Sequence, residues 1–462
     1  MESGQKMILK KNRRAIVVAL WAGLSIILPI AESSAEKASS MKKTGTAAMK
    51  KHEPEALAWL KKWVDINSFT LNVAGVNEVG KSTAEAFAQL GFQAKFVPSK
   101  KPVAGNHLIL IKRGEGKAGG KSVAFVSHLD TVYSPEEEKR LGFAWKREGD
   151  RIYGPGVIDC KGGTALVWLM LKTLSEAEPD LYRRFTFYFF INATEEGFHH
   201  HFAEVVTPYL ASRIEACLVV EPETLQAQGF QGSFRVVTAR KGGGRFVIES
   251  MGQGGHAGNA HASGVNAIRQ LARAVEAAES LTDPSREVTV NVGMFSGGVA
   301  PNRIPESAQA SGDVRAFSQP HLTQTVEALK KIAKLPPLKS GDGKKSSTLR
   351  VKIADIMPPM SDNEATSKLF EVWERAGKES GARVEKLRRG GMSDANMLFD
   401  QVPTLDGLGP LGDNMHCSVH DPASGKEAEF LFLPAFLSKA QLNNRALLEI
   451  LTAPPILSTG NK

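Results

Sequence analysis

Phe125-Val-Ser-His-Leu-Asp-Thr131 is an apolar run of strand type that ends abruptly in two polar groups. Residues two apart on an extended backbone point to the same side, so His128 and Asp130 share a face. A neutral imidazole offers one nitrogen to a divalent metal, and a carboxylate near its other nitrogen would fix the tautomer and raise its basicity. Alone, so short a pattern is more often a strand end hydrogen-bonded to a loop. Its weight changes because three further apolar stretches end in the same manner.

Asp150-Arg-Ile-Tyr-Gly-Pro-Gly-Val-Ile-Asp-Cys-Lys-Gly-Gly163 sets Asp159 in a glycine-rich turn just before a long apolar helix. Phe185-Thr-Phe-Tyr-Phe-Phe-Ile191 runs into Glu195-Glu196, and Cys217-Leu-Val-Val220 runs into Glu221. In open α/β sheets ligands bind beyond the carboxyl ends of the strands, where these acids fall.

Outward from these strands, apolar spacing predicts helices at residues 53–64, 79–90 and 163–177 and strands at 93–97, 107–112 and 122–126. Helices alternating with strands apolar on both faces imply an α/β layer, with a mostly parallel central sheet and flanking helices. From Lys241 the order becomes β-α-β-β-α-β, with strands at 245–251, 287–295, 307–317 and 348–356 and helices at 264–280 and 321–334. That is a ferredoxin-like split βαβ unit, a four-stranded antiparallel sheet with two helices on one face. We read it as an inserted domain at 241–357 that divides a catalytic domain into 53–240 and 358–452, with a tail at 453–462. A chain of 462 residues has room for two cores.

At the N-terminus, Lys10, Lys11, Arg13 and Arg14 precede the apolar residues 15–31, and Ser33-Ser-Ala35 supplies small residues before Glu36. This pattern predicts a secretory signal sequence at 1–35, cleaved after Ala35, and so a periplasmic or secreted protein. The apolar run is short for a membrane span and contains Pro29. Loss of 1–35 removes five basic and two acidic residues, lowering the formal charge from +9 to +6. Residues 36–52, rich in Lys, Ser, Thr and Ala, read as a flexible linker. No nucleic-acid-binding module accompanies the basic excess, which argues against a nucleic-acid partner. Cys160, Cys217 and Cys417 are too few and scattered for a disulfide scaffold; two of them adjoin Asp159 and His416.

Taken in order, the motifs are H-x-D, G-x-G-x-x-D-x-K-G-G, E-E, a Glu after a strand, and Gly412-Asp-Asn-Met-His-Cys-Ser418. This set resembles the di-zinc metallopeptidase family of glutamate carboxypeptidase, aminoacylase, acetylornithine deacetylase and succinyl-diaminopimelate desuccinylase, and most resembles glutamate carboxypeptidase. The resemblance implies that His128 and Glu221 bind one zinc, that Glu196 and His416 bind the other, and that Asp159 bridges them. It further implies that Asp130 orients His128 and that Glu195 is the general base. Adjacent residues of an extended stretch point to opposite sides, so Glu196 can hold metal while Glu195 moves a proton. Two Zn²⁺ per subunit suit a mixed His and carboxylate shell, and Co²⁺ or Mn²⁺ could substitute.

In the inserted domain, Gly252-Gln-Gly-Gly-His-Ala-Gly258 resembles the family segment whose histidine, here His256, reaches the substrate carbonyl. Asn302-Arg-Ile-Pro305 and Asp313-Val-Arg315 resemble its substrate-binding segments, through Asn302 and Arg315. Gly390-Gly-Met-Ser-Asp394 resembles a loop near the substrate, with Gly391 in it; alternatively Ser393 caps the next helix. Rival metal ligands are the tract His199-His-His201 and His420, which would share a helical face with His416.

The implied activity is an exported zinc carboxypeptidase that cleaves the amide bond to a C-terminal amino acid. An aminoacylase or deacetylase acting on N-acyl amino acids is the alternative, and a non-catalytic peptide-binding protein is a third reading. The expected partners are a small peptide or N-acyl amino acid with a free carboxylate and a second copy of the chain, joined through the inserted domain.

Overall fold

The computed structural model describes residues 34–100, 104–115, 121–197, 201–210, 214–226 and 229–454. The chain divides into a unit Met1–Lys43, whose described residues are helical, and a unit Thr44–Lys462 that holds every sheet. Most of the expected signal sequence, together with His199 and His200, lies outside the described residues. The linker expected at 36–52 is instead part of the helix Ser34–Val64. Lys, Ala and Met are strong helix formers, and Met49 and His52 are buried, which a solvated linker would not allow.

The central sheet has six strands in the order Gln93–Pro98, Asn106–Lys112, Thr186–Asn192, Ser122–His128, Ile214–Val219, Thr404–Leu405. The last four run parallel and the first two are antiparallel additions at one edge. Ser122–His128 is buried along its whole length because sheet lies on both sides of it and helices pack on both faces. One of those helices, Lys161–Ala177, packs between the sheet and the helix Leu433–Thr452 and is apolar on most sides for that reason. Its Trp168 is fully buried and donates to Ala86 O at 3.1 Å; truncation to Ala would cost about 3–5 kcal/mol.

The inserted domain has the expected order. Its strands lie as Thr289–Gly297, Ser307–Ala316, Gly242–Met251, Thr348–Met357, all antiparallel. Helices Ala267–Glu279 and Gln319–Lys331 cover one face and close a separate hydrophobic core around Phe246, Ile248, Leu271, Val314 and Leu329. The opposite face carries Arg245, Glu249, Gln309, Asp313, Arg315 and Arg350.

A second layer of very short strands was not anticipated. Lys146–Glu148, Arg151–Tyr153, Phe430–Phe432, Leu411–Asp413 and Glu223–Thr224 form a five-stranded sheet. A parallel pair, Ser233–Arg240 with Arg383–Arg389, lies beside it in the chain's second half. No helix among the described residues is long and apolar enough to cross a membrane.

Candidate metal centre

His128 ends its strand beside Asn192, the last residue of the neighbouring parallel strand. The side chains of His128, Asp159 and Glu221 converge from three segments, with donor atoms all within 4.8 Å of one another. Asp159, Glu196 and His416 form a second such group, which shares Asp159 with the first, and His128, Glu195 and Glu196 form a third. His128 Nε2 lies 3.0 Å from Asp159 Oδ1 and 3.7 Å from Glu221 Oε1. His416 Nε2 lies 3.4 Å from Asp159 Oδ2 and 3.2 Å from Glu196 Oε1.

The glycines of the D-x-K-G-G motif explain how these segments come so close. A Cβ on Gly163 would lie 2.3 Å from Val220 O, one residue before Glu221. A side chain there would push the helix off the strand that delivers that ligand. His416 itself has a left-handed backbone, with φ at 64°, as does Asn414 at 60°. Non-glycine residues reach that region at a cost, and such strain concentrates where a side chain must be aimed.

Asp130 acts differently from the expectation. His128 Nδ1 meets the backbone carbonyl of Asp130 at 3.0 Å, whereas the carboxylate lies 3.6 Å away. The carboxylate instead accepts from Glu195 N at 3.1 Å, Glu196 N at 3.2 Å and Thr70 Oγ1 at 2.7 Å. Asp130 therefore fixes the tautomer of His128 mainly through its main chain and pins the Glu195-Glu196 backbone through its side chain.

The electrostatics call for a cation. Asp159, Glu195, Glu196 and Glu221 face only two imidazoles in a poorly solvated space, and like charges there cannot all ionise. Burial, reinforced by the charge of Asp159, pushes Glu221 up to about 8. Burial and the charge of Glu221 push Glu195 well above the ordinary carboxylate value. Hydrogen bonds to Asp159 and Glu196 push His416 up to about 11. Burial opposes a charge on His128, but its contacts with Asp130 and Asp159 outweigh that and raise its pKa. For Asp159 burial also works the other way, yet the bonds to both histidines hold it below its ordinary value. Divalent ions would relieve the carboxylate repulsion that these shifts record, and two histidines with carboxylates are a suitable donor set for zinc.

The centre opens into a cleft of about 440 Å³ lined by Glu195, Glu196, Glu221, His416, Arg315 and Gly391, with Arg245, Val132, Met357 and Met392. Arg315 is held by Asp313 Oδ1 at 2.8 Å and by Gly390 O at 3.1 Å, a contact between the inserted domain and the loop after Arg389. Ser393 caps the short helix Asp394–Met397 with Asn396 in a capping box, so the capping reading of that residue holds. His256 and Asn302 do not line the cleft; both are exposed, and His256 Nδ1 accepts from Gly258 N and Asn259 N.

Among the described residues, the rival histidines His201 and His420 lie elsewhere. His201 bonds to His107, and His420 pairs with Glu148 against the Tyr153 ring. The chain around His416 is not helical, so His420 does not share a face with it. Cys160 Sγ lies among the first group of donors but bonds to Val220 O at 3.1 Å; Cys417 is exposed.

Two supports escaped the sequence. Asn192 Nδ2 donates to both oxygens of Asp394, while its Oδ1 accepts from Thr194 N just ahead of Glu195. Arg240, fully buried, pairs with Asp406 at 2.5 Å and donates to Gly391 O at 3.1 Å, holding the cleft loop from beneath.

Residues 238–339 match the peptidase dimerisation domain of the M20 family. The chain is 25% identical to carboxypeptidase G2 of a Pseudomonas species over 400 residues, covering 86% of this chain and 90% of that one. It is 28% identical to acetylornithine deacetylase of Shigella sonnei over 366 residues, covering 75% and 85%. An M20 family metallo-carboxypeptidase from Sulfolobus solfataricus shares the fold, with a TM-score of 0.65 at 16% identity over 87% of this chain and all of that one.

Proposed function

We propose that this chain, an M20 family hydrolase, is an exported di-zinc carboxypeptidase that releases a C-terminal amino acid from a small peptide. The observation that carries the reading is the pair of donor groups sharing Asp159, with Glu195 beside them at the mouth of one cleft. Two zinc ions held there would polarise the scissile carbonyl and lower the pKa of a water between them to about 7. Glu195, which lines the cleft beside these donor groups, would take the proton of the attacking water and pass it to the departing amine. Asp130 holds the amides of both Glu195 and Glu196; the chain turns there rather than running extended, so both carboxylates lie on the His128 side and do not point to opposite sides as expected. Arg315 presents a planar donor fork, already braced by Asp313 and Gly390, to the substrate's free carboxylate.

His256 and Asn302 would add donors for the oxyanion once closure of the inserted domain, or a second copy of it, brings them to the cleft. A homodimer is supported by the dimerisation-domain match and by the edge strand Thr289–Gly297, which exposes Met294 and Phe295. An aminoacylase or deacetylase, favoured by the likeness to acetylornithine deacetylase, would use the same centre and differ only in the acyl pocket.

The test is a dipeptide and its C-terminal amide offered to zinc-loaded and chelated protein. The proposal expects turnover of the free acid at least 100-fold above the amide, lost on chelation and restored by Zn²⁺. Equal kcat/KM for the two substrates, or full turnover without metal, would overturn it.

A further inference from the structure

Glu429 is fully buried, yet it is neither in the cleft nor among the metal-binding groups. Its Oε1 accepts from Ile158 N at 2.9 Å and Asp159 N at 3.2 Å. Its Oε2 accepts from Gly156 N at 3.3 Å and from the Tyr133 hydroxyl at 2.8 Å. Three amides of one turn thus aim at one carboxylate, the nest-like arrangement that backbone adopts around an anion. The turn is the one that carries Asp159.

The same residue grips the other ligand loop. Glu429 N donates to Cys417 O at 2.8 Å, one residue beyond His416. The strand that follows, Phe430–Phe432, pairs with Arg151–Tyr153 on one side and Leu411–Asp413 on the other. The turn to Asp159 and the loop to His416 leave those two strands. Glu429 therefore stands where both loops depart from one sheet, and Asp159 and His416 meet again in the same donor group.

We infer that Glu429 is a positioning residue that sets the relative placement of Asp159 and His416, and so the affinity of the metal they share. The inference rests on the metal-centre reading above. A glutamine can offer only one oxygen, so its NH₂ must oppose an amide N–H of the turn, leaving a buried donor unsatisfied. Replacing Tyr133 by Phe removes one of the four bonds and leaves the carboxylate.

The test is zinc titration of the full-length metal-free protein against a competing chelator, with elemental analysis, for wild type, Glu429→Gln and Tyr133→Phe. Thermal melts of the metal-free proteins are measured alongside, to separate loss of fold from loss of placement. Glu429→Gln is expected to bind the first zinc within about threefold of wild type and the second at least tenfold more weakly. Tyr133→Phe should weaken the second zinc by a smaller factor and leave the metal-free melt within a few degrees. If Glu429→Gln fails to fold, Tyr133→Phe decides: a weakened second site supports the inference and an unchanged one overturns it. Two zinc ions bound by folded Glu429→Gln with wild-type affinity would overturn this inference alone. Wild-type protein that takes up no zinc would overturn the proposed function and this inference with it.

Discussion

The catalytic layer and the inserted domain hold their polar groups in opposite ways. Around the metal centre His128, Asp159 and Glu221 are buried, Glu195 and Glu196 are half-buried with their amides held by Asp130, and the carboxylates crowd one another; His416 is exposed but engaged by Asp159 and Glu196. In the inserted domain His256 and Asn302 point outward, and Arg315 alone of the three reaches the cleft. Each region suits a different part of the proposed reaction. Bond breaking needs groups held rigidly out of water, whereas recognition tolerates groups that acquire partners only when a substrate or a second copy arrives.

Removing a group from the metal centre should break function outright. His416→Ala is expected to lower kcat/KM by about 10⁴-fold and to leave about one metal per chain, since His416 would be a ligand of the second ion, which would supply polarisation of the carbonyl and acidification of the water. Steady-state kinetics with elemental analysis checks this. In the inserted domain losses should be smaller and should spare the metals. His256→Ala is expected to reduce kcat by about 100-fold with little change in KM, the effect of one lost oxyanion donor. Arg315→Ala should raise KM by about tenfold or more, as removal of a uniform binding contact does. Loss of metal in either variant would erase the distinction between the regions.

The smallest effect concerns stability. In metal-free protein Glu221 is raised from 4.5 to about 8 and His416 from 6.5 to about 11, so the folded state binds more protons than the unfolded chain between about pH 5 and 8. Stability therefore falls as pH rises through that window. The Tm of the chelated protein should drop by several degrees from pH 5 to pH 8, and Zn²⁺ should recover it at pH 8. A flat or rising profile would show that the carboxylates do not crowd one another as described.

The same contrast governs what could be read in the sequence. His128, Glu195, Glu196 and Glu221 were legible because each follows an apolar run long enough to mark a strand end, Asp159 because of its glycine-rich turn before an apolar helix, and the inserted domain because its alternation is regular. The small sheet that carries both loops was not, since strands of two or three residues leave no periodicity. Glu429 sits in Lys426-Glu-Ala-Glu429, a charged tract that resembles a solvated turn until the fold brings it against Asp159. Asp130 was expected to serve His128 through its carboxylate, because spacing reveals which face a side chain takes but not which amides approach it from 65 residues away. The helix through 36–52 was hidden by a composition that suits a linker and a helix about equally.

The proposed mechanism depends on a division of labour between two adjacent acids. Glu195→Gln and Glu196→Gln should be purified identically and compared for metal content and turnover. Two metals per chain and at least a 1000-fold loss of kcat are expected for Glu195→Gln, and loss of one metal for Glu196→Gln. Metal lost from Glu195→Gln and kept by Glu196→Gln would contradict that division.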